Sequence, residues 1–102
     1  MKRDTYEVRA RIFRALGHPS RLLIVDALQE GPKNVAELVK LVDSEYPTVS
    51  RHLSKLKEAG IISEDRKEGN MVFYRLEVTC IAGFFQCVSE VVEKKRKTFT
   101  LA

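Results

Sequence analysis

Two short stretches between Val35 and Ala59 constrain this chain more than anything else in it. In the first, Val35, Leu38, Leu41 and Val42 recur at helical spacing, and in the second Val49, Leu53, Leu56 and Ala59 do so. Only the polar turn Asp43 to Tyr46 separates them, so the two helices must pack against each other. Asn34 followed by Glu37 has the form of a capping pair, which predicts a helix over about Val35 to Val42. The next helix is expected to start at Pro47 and to end at Gly60. Its apolar stripe leaves Thr48, Ser50, Arg51, His52 and Lys55 on the other faces. Two short helices joined by a tight turn, the second apolar on one side and hydrogen-bonding on the other, form a helix-turn-helix layout.

The remaining elements frame that pair. Val8, Ile12, Ala15 and Leu16 predict a first helix over about Thr5 to Leu16, interrupted by Gly17-His18. Pro19 suits the first turn of a second helix, Pro19 to Gln29, expected to bury Leu22, Leu23, Val25, Ala27 and Leu28 and to stop at Gly31-Pro32. After Gly60, Ile61 to Asp65 and Met71 to Leu76 read as two strands around Arg66-Lys67-Glu68-Gly69-Asn70, a hairpin of the size of a wing. A last helix, about Thr79 to Lys95, presents Ile81, Phe84, Phe85, Val88, Val91 and Val92. The expected class is α+β, mostly α: five helices with a two-stranded β wing in one domain, 1–102, without internal repeat or linker.

A chain of 102 residues buries little surface for its length, and a dimer would supply the missing core. No apolar run approaches the roughly 20 residues of a membrane span. Met1 to Ala10 carries no apolar stretch of the secretory kind, so the expected compartment is the cytoplasm, with Cys80 and Cys87 as thiols. The formal charge is +4 with no polybasic arm, so any DNA specificity must come from a shaped motif rather than from phosphate attraction alone. There is no glycine-rich phosphate loop, no nucleophile-base motif and no metal-hydrolase spacing, which argues against an enzyme.

Three segments carry a family resemblance. TVSRHLSKLKEAGII, Thr48 to Ile62, resembles the recognition helix of the ArsR/SmtB family of metal-responsive repressors; LGHPSRLLIVDAL, Leu16 to Leu28, resembles that family's entry into its second helix, and EGNMVFYRL, Glu68 to Leu76, its wing. The resemblance implies a winged helix-turn-helix that forms a homodimer through its first and last helices. It also implies recognition helices in successive major grooves of a pseudopalindromic double-stranded operator, and an inducer that releases the DNA.

On that basis Thr48, Ser50, Arg51 and His52 are the expected DNA-facing residues, with Tyr46 and Lys55 at the margins and Arg66, Lys67 and Asn70 on the wing. Arg51 has the chemistry to read guanine in bidentate fashion, whereas Thr48, Ser50 and Lys55 suit phosphate. The plainer alternative is a solvated face of an amphipathic helix, with His52 making a local hydrogen bond. Glu64, Asp65 and Glu68 would repel phosphate near the wing tip.

No cofactor is expected to be required for DNA binding. The third helix has no cysteine and the last no histidine, so the family's sites that use those residues are absent. Two histidines and two cysteines leave little for a four-ligand zinc site. Cys80 and Cys87, seven residues apart, fall on one face of the expected last helix with about a 20° offset. Either they belong to an apolar interface stripe, or they form a soft-ligand inducer site similar to the last-helix cysteines of some arsenic-sensing relatives. A straight helix would hold their alpha carbons roughly 10.5 Å apart, whereas shared thiolate ligation needs sulfurs within about 4 Å. Closing the site therefore requires unwinding near Gly83 or a thiol from the other subunit. Two thiols match methylarsenite; arsenite, As(III), needs a third ligand, and antimonite, Sb(III), is a further candidate. Redox or persulfide chemistry at the same pair is the alternative switch.

Overall fold

The computed structural model describes residues 2–101. Its elements run α1 (Arg3–Leu16), α2 (Pro19–Leu28), β1 (Lys33–Asn34), α3 (Val35–Val42), α4 (Tyr46–Glu58), β2 (Ile62–Glu68), β3 (Met71–Leu76) and α5 (Ile81–Leu101). The expected five helices and wing are all present among the described residues.

Local chemistry explains the boundaries around the central pair. The Asn34 side chain accepts from the Glu37 backbone N–H at 2.8 Å, and the Glu37 carboxylate accepts from the Asn34 N–H at 3.0 Å, a reciprocal capping box. At the other end of α3, Asp43 adopts a left-handed conformation, φ 54°, and its N–H bonds back to the Val39 carbonyl. This reverses the chain within three residues. Pro47 sits in the first turn of α4, where its missing N–H costs no helical bond.

The core gathers Ile24, Val25 and Leu28 of α2, Leu38 of α3, Val49, Leu53 and Leu56 of α4, and Ile61 and Ile62 at the start of β2, all essentially inaccessible. In α2 Ile24 is buried together with Val25, Ala27 and Leu28, whereas Leu22 and Leu23, expected inside, are 40% exposed. The run Leu22-Leu23-Ile24-Val25 is apolar all round, so periodicity alone does not select its inner face.

The sheet is antiparallel in the order β1-β3-β2. The expected two-stranded wing thus gains a short third strand, Lys33 and Asn34 pairing with Tyr74 and Phe73. The wing strands also reach further than expected, because Arg66, Lys67 and Glu68 pair with Phe73, Val72 and Met71. The turn shrinks to Gly69-Asn70, with Gly69 at the positive φ of 60° that the tight reversal requires. Charged residues are tolerated on β2 because it is an edge strand. A bulge between Glu64 and Arg66 adds one residue to that strand, Asp65.

Outside the core, α1 and α5 leave apolar side chains bare: Tyr6, Val8 and Phe13 on the first, and Phe84, Val88, Val91 and Val92 on the last. Phe13 and Phe84 meet edge to face with ring centroids 6.0 Å apart. With Leu22 and Leu23 they line an apolar groove of about 510 Å³ between α1, α2 and α5.

Candidate nucleic-acid interface

Helix α4 is held by one face and open on the other. Val49, His52, Leu53 and Leu56 are buried, whereas Tyr46, Ser50, Arg51, Ser54 and Lys55 are exposed. Thr48 is half-buried and accepts a long hydrogen bond, 3.5 Å, from Arg51 Nη2. Ser54 is absent from the sequence reading, although it stands one helical turn beyond Ser50 on the exposed side. The spacing i, i+4 from Ser50 was the available signal.

His52 requires a correction. It was expected on the DNA-facing side, but only 9% of it is accessible, and Arg21 Nε donates to its Nδ1 at 3.1 Å. The same guanidinium donates through Nη1 to the Ala15 carbonyl, also at 3.1 Å, tying the end of α1 to α4. His18 packs beside His52, centroids 4.4 Å apart, and accepts the Ser20 N–H at its own Nδ1 to cap α2. Both imidazoles accept at Nδ1, so the neutral ring carries its proton at Nε2 in each case. Burial holds the His52 imidazole below its ordinary value, and the charges of His18, Arg21 and Arg51 act in the same direction. The physical reason for the misplacement is angular: His52 lies at the edge of the apolar stripe, where a partner on α2 draws it inward.

On the wing, Arg66, Lys67 and Asn70 are all exposed, but they are not equivalent. Arg66 is engaged by Glu68 at 2.9 Å and Asp65 at 3.0 Å, and its guanidinium lies 3.9 Å over the Phe73 ring. The paired carboxylates hold its proton more tightly than usual. Asn70 lies in the turn at the wing tip, and Lys67 lies near it at the end of β2. Lys57 of α4 pairs with Glu64 of β2 at 3.3 Å, joining the helix to the wing.

The cysteines also depart from expectation. Helix α5 begins at Ile81, so Cys80 occupies the preceding turn instead of sharing a helical face with Cys87. The expected helical start at Thr79 is displaced by two residues: Thr79 and Cys80 form a turn in which the Thr79 and Ile81 N–H groups donate to the Glu77 and Val78 carbonyls. Both thiols are free and exposed. Cys87 falls between Phe84 and Val91 on the bare flank of α5, three residues after one and four before the other. Among the described residues no group of three or more His, Cys, Asp or Glu side chains is placed to hold a metal ion. A thiophilic centre would therefore rest on these two sulfurs plus donors from elsewhere.

A buried-faced second helix after a tight turn, followed by an antiparallel hairpin, defines a winged helix-turn-helix protein. Residues 18–64 match the model of the bacterial regulatory protein, arsR family. An uncharacterized HTH-type transcriptional regulator of Methanocaldococcus jannaschii is 37% identical over 89 residues, 86% of this chain and 99% of that protein. The solution structure of a homodimeric winged helix-turn-helix DNA-binding domain from Mycobacterium bovis, a possible ArsR-family regulator, is similar with a TM-score of 0.76 and 27% identity, covering 93% of this chain and 87% of that one. The transcriptional repressor BigR of Xylella fastidiosa is similar with a TM-score of 0.71 and 33% identity, covering 89% and 96%. This chain belongs to the arsR family.

Proposed function

We propose that this chain is a DNA-binding transcriptional repressor, a single domain over residues 1–102 that acts in the cytoplasm as a homodimer and without catalysis. The observation that carries this reading is α4, which buries Val49, Leu53 and Leu56 and leaves Ser50, Arg51, Ser54 and Lys55 in solvent. A helix anchored so firmly on one side presents a rigid hydrogen-bonding edge of the kind a major groove accepts. Tyr46, Thr48 and Lys67 with Asn70 flank that edge as backbone contacts. The bare faces of α1 and α5 support dimerisation through the first and last helices, in line with the relative described as homodimeric. No helix among the described residues is long and apolar enough to cross a membrane.

The inducer in this reading is a thiophilic species, trivalent arsenic as arsenite or methylarsenite, with antimonite as a further candidate. Cys87 on the flank beside Phe84 and Val91 supports a site that straddles the dimer, where ligation changes the pairing of two protomers. A disulfide or polysulfide link between Cys80 and Cys87, formed when an external two-electron oxidant or sulfane-sulfur donor takes the two thiol hydrogens and their electrons, is the second reading. It is favoured by the two free, exposed thiols, which are all the protein groups such a link consumes.

Fluorescence anisotropy on the upstream DNA tests both, with the arsenicals titrated in reducing buffer and the persulfide donor titrated after the reductant is removed. Release by trivalent arsenicals from the native protein, lost in Cys80→Ser and Cys87→Ser, is the expected result. Release by a persulfide donor alone assigns the second reading. DNA binding that none of these reverses removes both cysteine roles, and failure to bind any duplex removes the repressor.

A further inference from the structure

Beside the reading helix lies a second, strongly basic feature. An open groove of about 500 Å³ runs between α1, α2 and α4, lined by Arg11, Arg14, Arg21, Lys55 and Glu58 over a floor of two alanines. Four cations face one carboxylate. Arg11, Arg14, Lys55 and Glu58 have no ion pair among the described residues, so the excess positive charge is not neutralised within the protomer. Like charges three and four residues apart or facing across a groove repel, and an anion seated between them relieves that repulsion.

The groove is also built rather than accidental in its deepest member. Arg21 is partly buried, and its hydrogen bonds to His52 Nδ1 and the Ala15 carbonyl fix the guanidinium plane. A guanidinium has five N–H donors, so three remain for an anion after these two bonds. Lys55 stands one helical turn beyond Arg51 on α4, which makes the groove continuous with the proposed reading edge. Its open shape suits a strand passing along it.

We infer that this groove seats a backbone phosphate of the operator, with Arg11 and Arg14 of α1 and Arg21 of α2 closing on the strand that flanks the groove read by α4. The inference rests on the DNA-binding reading and extends the interface to two helices outside the recognition helix and wing. Such contacts add affinity and set register without sequence preference. Glu58 at the same groove opposes the phosphate and moderates the attraction.

The test is the salt dependence of duplex binding by the full chain, followed by anisotropy on operator and on scrambled DNA. One phosphate contact per protomer is two per dimer, so the Arg11→Gln, Arg14→Gln double variant is expected to flatten the log K against log salt slope by about 1.8. Its affinity falls by the same factor on both duplexes, whereas Glu58→Gln strengthens both. Circular dichroism melts confirm that the variants fold. A native slope in the folded double variant, with native protein binding DNA, overturns this inference alone; native protein that binds no duplex overturns it together with the reading beneath it. Inorganic phosphate that shifts the Arg11 and Lys55 resonances while the slope stays native reassigns the groove to a small anion.

Discussion

Arg21 Nε and His52 Nδ1 stand 3.1 Å apart, one guanidinium hydrogen bond joining the second helix to the recognition helix. The bond needs His52 neutral at Nδ1, and burial keeps it so by lowering its proton affinity. Between the lowered folded value and the ordinary 6.5, the unfolded chain binds more protons at this position than the folded one. Stability from His52 is therefore complete above 6.5 and declines as pH falls through that window. Urea melts at pH 7 and pH 5 check this: His52→Gln is expected to show a smaller loss between the two than the native chain does.

The capping box at the start of α3 predicts a measurable thermal penalty. Asn34→Ala removes the acceptor for the Glu37 N–H and is expected to cost about 1 kcal/mol, a drop of roughly 4–8 °C in Tm for a domain of this size. Asn34→Asp restores the acceptor and most of the loss. Differential scanning calorimetry on the three proteins separates the outcomes.

Arg51 and Lys67 are expected to fail in different ways. Arg51→Ala should cost about 1–3 kcal/mol on the operator and relax preference at one base position. Lys67→Ala, at the wing tip, should weaken operator and scrambled duplexes alike. Binding curves on a panel of single-base operator variants distinguish the two patterns.

The bare face of α5 is expected to be the dimer seam. Val92 is 54% exposed, so an aspartate there leaves the protomer core untouched. Val92→Asp, counted twice across a two-fold interface, should weaken association by roughly 3 kcal/mol or more, about two orders of magnitude in Kd. Sedimentation velocity reads the shift directly, and an unchanged dimer with Val92→Asp would place the seam elsewhere.

Much of this arrangement is local and so was legible in the chain itself. The span Val35–Val42, its Asn34-Glu37 cap and the apolar stripe of α4 depend on residues within a few positions of one another. Other features depend on distant partners. Strand β1 exists only because Lys33 and Asn34 meet Tyr74 and Phe73 some forty residues on. His52 turns inward because Arg21 waits on another helix, and Arg66 is consumed by Asp65, Glu68 and Phe73 once the hairpin closes. Cys80 lies outside the expected helix, in a turn of residues 77–81 that joins β3 to α5.

Asn34 caps α3, pairs with Phe73 on the wing and donates from its amide to the Met71 sulfur at 3.8 Å. A single side chain and its backbone thus rivet the hairpin to the entrance of the helix-turn-helix, and Lys57 with Glu64 adds a second rivet from the far side. These contacts couple reading helix and wing within one protomer, so an inducer of the kind proposed is expected to act between protomers rather than between these two elements. On the proposed dimeric reading the adjustable quantity is the distance and tilt between two protomers, and tolerance to inserted base pairs at the operator's centre is expected to report it.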